Sequence, residues 1–316
     1  MTQLYIPPTE LTFRLRGYAS ELVLFSRFSP SPLFGHNELN DKYGDQEWHL
    51  VPGTGKYAGY YLIKSRRTSE VIFSRYPQEP RVGTIDSNGK FDDNYFKLEP
   101  GAGKMKNYFR LRSFASDYVL FSRTHGDPTV YNYPGNSNVY DDQYFSFVFE
   151  DMEIVRCVYN VDEGKILEST PEVIGKVTQR NDTNVDQTVE FSFQRSEEIT
   201  HTFEYSQGYT IMVGSEGKVG VPFVAEGSIK TEVTNSHTLT WGSTTTETKT
   251  YTSTFPATAP PHTQVTATVT VTRSTLEVPF SIYSRSVATG YEVATHGVYH
   301  GVTYWDVRSD IKEQPL

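Results

Sequence analysis

The chain has 316 residues, 14% of them aromatic with 22 Tyr and 19 Phe, and it carries one cysteine, Cys157. No run of eighteen apolar residues exists, so no transmembrane helix is encoded, and a lone cysteine excludes an internal disulfide. Net charge is −9, yet residues 1–150 balance at 17 basic against 17 acidic, while residues 151–316 hold 12 against 21; an acidic half repels phosphate and anionic lipid alike, which argues against a nucleic-acid partner.

Residues 1–8 have neither a basic start nor an apolar run. A protein made soluble without a signal peptide is therefore expected, in keeping with a single cytosolic thiol. Aromatic and β-branched residues dominate, and no window sustains an i, i+3, i+4 apolar pattern, so the expected class is all-β.

A threefold repeat fills residues 1–150. Phe25-Ser26-Arg27, Phe73-Ser74-Arg75 and Phe121-Ser122-Arg123 recur at a spacing of 48. Each is preceded by a strand-like segment (Phe13–Arg16, Tyr61–Lys64, Phe109–Arg112) and followed by a proline (Pro32, Pro80, Pro128). Each repeat closes on a polar-plus-aromatic group: Asp45-Gln46-Glu47-Trp48, Asp93-Asn94-Tyr95-Phe96 and Asp142-Gln143-Tyr144-Phe145. Short strands with Gly/Pro turns in three units suit a closed pseudo-threefold body. The closing triplets resemble the Gln-x-Trp signature of ricin-B-type β-trefoil lectins, and that resemblance implies one shallow sugar pocket per repeat.

Comparing the repeats column by column gives the candidate pockets. An aromatic face covers the apolar side of a galactose ring, while carboxylates and amides bond its hydroxyls. Repeat two offers Arg75, Glu79, Phe91, Asp92, Asp93 and Asn94. Repeat three offers Arg123, His125, Asp127, Tyr140, Asp141, Asp142 and Gln143. Repeat one has Ser31 and Gly44 where the others have carboxylates, so it is expected to be weak or silent. For the arginines and the Gln/Asn column, a role in locking the hairpins competes with sugar contact.

Residues 151–316 change in texture, with 14 of the 24 residues from Thr231 to Thr254 being Ser or Thr. Such strands lack the apolar content for a thick core and suit a thin sheet or a segment held ready to rearrange. Within this half, Tyr205–Val233 alternates. Its odd positions include Tyr209, Ile211, Val213, Val219, Val221, Phe223 and Ile229, and its even positions carry Glu216, Lys218, Glu226, Lys230 and Glu232. With a turn at Gly220–Phe223, this reads as a hairpin with one apolar and one charged face. Arms of about twelve residues reach roughly 30 Å, the hydrocarbon thickness of a bilayer. Two half-buried strands on an ordinary core are the alternative.

A β-trefoil followed by a Ser/Thr-rich module with one amphipathic hairpin resembles the aerolysin-type β-pore-forming proteins, and in particular the haemolytic lectins of the Laetiporus type. The likeness includes Tyr5-Ile6-Pro7-Pro8, Asp141–Phe145, Gly220-Val221-Pro222 and the Gly297–Arg308 stretch with Gly301-Val302 and Trp305-Asp306. It implies a carbohydrate-binding domain over residues 1–150 and a pore-forming module over residues 151–316. It further implies galactose or N-acetyllactosamine glycans as partners, homo-oligomers at the target-cell membrane, and insertion of the hairpin as a β-barrel. A non-lytic lectin whose second half only oligomerises is the alternative.

No enzyme is expected. Gly53-Thr54-Gly55-Lys56 lacks the rest of a phosphate loop, and neither His-Glu-x-x-His, Gly-x-Ser-x-Gly nor a Cys/His cluster occurs. No catalytic residue, metal or cofactor is assigned.

Overall fold

The computed structural model describes residues 4–40, 42–205, 209–210, 217–232, 237–239 and 244–316. It divides into two compact units. The first holds the chain as far as Val155, together with Tyr283–Thr295 and, of the described residues between, Tyr205, Tyr209 and Thr210. The second holds Arg156–Glu204, the described residues of 216–282, and His296–Leu316.

In the first unit six short strands close a barrel. Phe13–Gly17 pairs with Phe145–Phe149 on one side and, through Phe13, with Trp48 on the other. Trp48–Pro52 pairs with Tyr61–Ser65, which meets Tyr95–Phe96. Tyr95–Pro100 pairs with Phe109–Ser113, and Phe109 returns to Phe145. Closure leaves no bare edge in the barrel. Three hairpins complete it: Val23–Ser26 with Phe34–Asn37, Val71–Ser74 with Val82–Ile85, and Tyr118–Ser122 with Val130–Pro134. Six barrel strands and three hairpins in threefold order are a β-trefoil. Every second residue of the barrel strands points inward, so Phe13, Leu15, Trp48, Ile63, Phe96, Phe109 and Phe147 are fully buried.

The repeated serine explains how the three units lock. Ser26 Oγ lies 3.2 Å from Thr84 Oγ1, Ser74 Oγ accepts a 3.0 Å bond from Asn132 Nδ2, and Ser122 Oγ lies 2.7 Å from His36 Nδ1. Positions 36, 84 and 132 are themselves 48 apart. Each serine thus bonds the same position of the next repeat around the axis. All three serines have no solvent exposure, where an unpaired hydroxyl is costly.

The second unit holds most of five long strands: Lys165–Asn181, Gln187–Tyr205, Thr244–Ala259, Thr263–Ser286 and Glu292–Pro315. Thr263–Ser286 pairs with Lys165–Asn181 and with Glu292–Pro315; the latter pairs with Gln187–Tyr205, which pairs with Thr244–Ala259. Their alternation buries a single file of apolar side chains. Ile174, Phe191, Phe193, Val265, Ala267, Val269 and Val271 form one cluster, and the threonines between the last four are half-buried. Gly175 is required here, because a Cβ would collide with the Phe193 ring. The expected Ser/Thr-rich thin sheet is what forms. Asn181 is buried, and its Nδ2 reaches the carbonyls of Val185, Ala259 and Pro260 at 2.7–3.0 Å.

Candidate functional site

An arginine follows the first strand of each trefoil hairpin and lies over the phenylalanine of its own Phe-Ser-Arg group. The guanidinium carbon is 3.9 Å from the ring centre for Arg27 on Phe25 and for Arg75 on Phe73, and 4.4 Å for Arg123 on Phe121. This cation–π contact flattens the side chain along the hairpin and fixes where its charge lies. Arg75 Nε stands 3.2 Å from Asp93 Oδ2, as an ion pair rather than an aligned hydrogen bond. Burial raises the carboxyl pKa values of Asp93 and Asp142, and the neighbouring Arg75 and Arg123 partly offset the rise. Next to these carboxylates the aromatic column is open to solvent: Tyr43, Phe91 and Tyr140 are 56, 45 and 47% exposed. A half-buried carboxylate, a held arginine and an exposed ring are the elements that grip a sugar's hydroxyls and its apolar face.

The other expected residues divide. Asn94 and Gln143 point inward with almost no exposure. Asn94 Oδ1 accepts from Ser87 Oγ at 2.6 Å, and its Nδ2 donates to Asp93 Oδ1 at 3.0 Å. Gln143 Nε2 donates to the Asn138 carbonyl at 3.2 Å. Gln46 does the same in repeat one, donating to the Glu38 carbonyl at 2.7 Å. The amides of Asn94 and Gln143 are thus engaged with the loops that carry the aspartates.

Asp92 and Asp141 have partners of their own. Asp92 Oδ1 accepts from Tyr57 Oη at 2.6 Å and from Lys56 Nζ at 2.9 Å, bonds that hold its pKa down. Lys104 Nζ meets Asp141 Oδ2 at 2.7 Å. Glu79 accepts from Tyr131 Oη at 2.6 Å and pairs with Arg81 Nε at 2.9 Å, which lowers its pKa as well. His125 Nδ1 bonds Thr124 Oγ1 at 2.8 Å, and Asp127 lies in the same exposed hairpin loop.

In the hairpin segment, Ile211 and Val213 lie outside the described residues. Tyr209–Thr210 runs parallel to Phe147–Val148 within the first unit. The turn does not fall at Gly220–Phe223. Pro222–Ala225 pairs with Ser228–Thr231 around Glu226 and Gly227, whose φ values of 53° and 74° are those of a two-residue hairpin turn. Gly217–Val219 pairs with His237–Leu239. An even-numbered loop makes each odd residue face an even one. Phe223 is opposite Lys230, and Val224 is opposite Ile229. Phe223 and Ile229, expected on one apolar face, thus lie on opposite faces. Val219, Val221 and Val224 are buried, and Phe223 and Ile229 are half-buried.

The family model for Clostridium epsilon toxin ETX/Bacillus mosquitocidal toxin MTX2 matches residues 124–311, more than half of the chain. The chain belongs to the ETX/MTX2 family. This ETX/MTX2 protein joins a β-trefoil to a module of that toxin family. Among solved structures it is similar to the BEL β-trefoil, at 38% identity over 46% of this chain and 98% of that one, with a TM-score of 0.43. It is also similar to a lamprey immune protein, at 15% identity over 99% and 94% of the two chains and a TM-score of 0.42. An aerolysin-like protein of Bombina maxima matches at 17% identity over 51% and 98%, with a TM-score of 0.36. No curated protein matches its sequence. Among the described residues no helix is long and apolar enough to cross a membrane, which says nothing about strands.

Sequence reasoning missed Lys56, Tyr57 and Lys104 in this ETX/MTX2 chain. The signal was present: Gly53-Thr54-Gly55-Lys56 recurs 48 residues later as Gly101-Ala102-Gly103-Lys104. In both copies the lysine follows a glycine at φ 59° and reaches the acidic column of the closing loop.

Proposed function

We propose that this protein is a galactose- or N-acetyllactosamine-binding haemolytic lectin of the Laetiporus type. Residues 1–150 bind cell-surface glycans, and residues 151–316 assemble into a ring and insert the hairpin segment as a β-barrel. The observation that carries the lectin half is the repeated set of arginine over phenylalanine, half-buried aspartate and exposed ring at Arg75/Asp93/Phe91 and Arg123/Asp142/Tyr140. Family membership supports the pore-forming half.

The physical order of events follows from lipid. An inserted hairpin leaves unpaired backbone groups, each costing several kcal/mol, so only a closed ring of hairpins is viable. A single shallow sugar site binds at about millimolar strength, and two sites per chain on several chains raise avidity by ~10²–10⁴. Glycan binding supplies the approach that the acidic second half does not.

One observation favours the alternative of a non-lytic multivalent lectin: Phe223 shares its face with Lys230 and not with Ile229, so the odd-numbered apolar face is not formed as folded. Haemoglobin release from erythrocytes, with and without added lactose, decides between the two. Lysis that lactose abolishes supports the proposal, and clumping without release supports the alternative.

A further inference from the structure

The tips of the three trefoil hairpins occupy equivalent places and carry different chemistry. Arg27, Arg75 and Arg123 each donate a backbone N–H across the hairpin, to the carbonyls of Leu33, Arg81 and Thr129 at 2.9, 2.9 and 3.0 Å. The residues that follow the arginines are Phe28, Tyr76 and Thr124, again 48 apart. In repeat two the ring has partners: Tyr76 stacks on Tyr118 with centroids 4.8 Å apart, and the Arg81 guanidinium stands 4.8 Å from its centre. Repeat three has threonine on both sides of its tip. Repeat one places Phe28 and Leu33 there, 68% and 50% exposed, and among the described residues no ring or cation lies over Phe28.

A single exposed apolar residue is ordinary. Here two flank one tip, and everything between them, Ser29 to Pro32, is exposed and uncharged. Arg27 Nε donates to the Pro32 carbonyl at 3.2 Å, which holds the tip closed. The turn at Gly44–Gln46 packs against the Val23–Ser26 strand of the same hairpin, and Tyr43 just before it is exposed as well. Charge completes the contrast. Residues 27–37 hold no carboxylate, whereas 75–85 hold Glu79 and 123–133 hold Asp127. Glu38 follows the far end of the return strand Phe34–Asn37. At the closing loop Gly44 stands where the other repeats have Asp92 and Asp141, and Asp45 remains half-buried. The replacements that leave repeat one without sugar-gripping carboxylates are also those that a bilayer boundary asks for. A carboxylate is expensive in lipid, while aromatic and aliphatic side chains beside a cation partition into the headgroup region.

We infer that the tip of repeat one, Phe28 and Leu33 with Arg27 behind them, is a lipid contact that seats at the headgroup–acyl boundary of a phosphatidylcholine bilayer. A zwitterionic surface is the one that the acidic second half does not oppose. The pseudo-threefold axis relates this tip to those of repeats two and three. A trefoil held on one membrane by glycans at repeats two and three therefore turns its third tip toward that surface or directly away from it. An exposed apolar tip free of carboxylates selects the first. The inference rests on the galactoside reading above for this orientation, and it adds a contact with the lipid itself.

The full chain tests it on three surfaces. On phosphatidylcholine vesicles carrying lactosylceramide, Phe28→Ser/Leu33→Ser should bind about tenfold more weakly than the parent, and Phe28→Trp about as tightly. On agarose bearing lactose, which offers no lipid, the parent and the double variant should bind alike. Equal loss on both surfaces overturns the inference, because the tip would then touch sugar or a second copy; no loss on the vesicles overturns it too. The third surface is plain phosphatidylcholine vesicles at high lipid. There a polarity-sensitive dye at Phe28→Cys should report an apolar setting and one at Thr124→Cys should not, both in a Cys157→Ser background. Equal responses at the two positions overturn the inference. If the parent binds neither lactose surface, the galactoside reading falls, and the dyes on plain vesicles decide the lipid contact by themselves.

Discussion

Ser122 Oγ lies 2.7 Å from His36 Nδ1, joining the third repeat back to the first across 86 residues of chain. The same hydroxyl lies 2.7 Å from Ser20 Oγ, and all of this takes place where Ser122 has no solvent exposure. Ser26 and Ser74 make the corresponding links to Thr84 and Asn132. The three serines that look like part of a surface motif in sequence are the pins of the pseudo-threefold axis. Ser122→Ala should therefore leave His36 and Ser20 short of a partner and destabilise the trefoil by about 1–3 kcal/mol in urea unfolding. Galactoside binding by the folded fraction should be unchanged, because no ring or carboxylate of the candidate pockets touches Ser122. A variant as stable as the parent would show the axis to be held by apolar packing alone.

The two aspartates of each closing loop should separate in their effects. Asp93 is half-buried against Arg75 and steadied by Asn94, whereas Asp92 is exposed and held by Lys56 and Tyr57. Asp93→Ala should weaken lactose binding at repeat two by tenfold or more, an approximate loss of ~1.5–3 kcal/mol for a charged hydrogen-bonding group. Asp92→Ala should cost clearly less. Asn94→Ala should fall between them and act through Asp93. Titration calorimetry in an Asp142→Ala background isolates repeat two. Equal losses for Asp92→Ala and Asp93→Ala would mean that both carboxylates touch the sugar.

Much of this arrangement was legible in the sequence, and what was not has definite causes. The 48-residue spacing set the trefoil because a closed threefold barrel demands equal units, and Phe25, Phe73 and Phe121 kept their places within it. The Gln/Asn column is ambiguous in sequence because burial is invisible in a motif, and Asn94 and Gln143 face inward. Lys56 sits in an incomplete phosphate-loop pattern, and its recurrence as Lys104 is the more telling signal. Gly220 and Pro222 are the stronger breakers in sequence, whereas the chain turns at Glu226 and Gly227, both at positive φ. Contacts that join distant segments were out of reach. Ser286 Oγ donates to Glu150 Oε1 at 2.8 Å, bringing a late strand end back into the first unit.

Acid should loosen the first unit through its histidines. His49 has its pKa pushed down from 6.5 to about 4, first by burial and then by Arg66 and Lys64. Burial lowers His36 in the same direction. Between those values the unfolded chain binds protons that the folded one refuses, so stability rises with pH. The contribution is complete above the unfolded value of 6.5 and is lost as pH falls toward 4. Thermal unfolding followed from pH 7 to 4 should show this slope, and His49→Gln should flatten it. An unchanged slope in the variant would move the effect to His36 or to the carboxylates.

The hairpin faces give the last test. With the turn at Glu226–Gly227, Val224 and Ile229 share one face, and Phe223 shares the other with Lys230, 3.1 Å from Glu226 through its Nζ. If this pairing persists on insertion, lipid must meet either Phe223 with Lys230 or Val224 with Ile229, and only the second pair is wholly apolar. A charged group facing lipid near mid-bilayer costs about 2–4 kcal/mol, repeated in every chain of a ring. Single cysteines at 223, 224, 229 and 230 in a Cys157→Ser background, each carrying a polarity-sensitive dye, report the faces directly. After assembly on erythrocyte membranes, labels at 224 and 229 should shift to an apolar environment and those at 223 and 230 should not. Val224→Asp should then abolish lysis while leaving red-cell clumping intact. A shift at 223 and 229 together would show that the turn moves when the hairpin inserts, restoring the odd-numbered face that the sequence alternation describes.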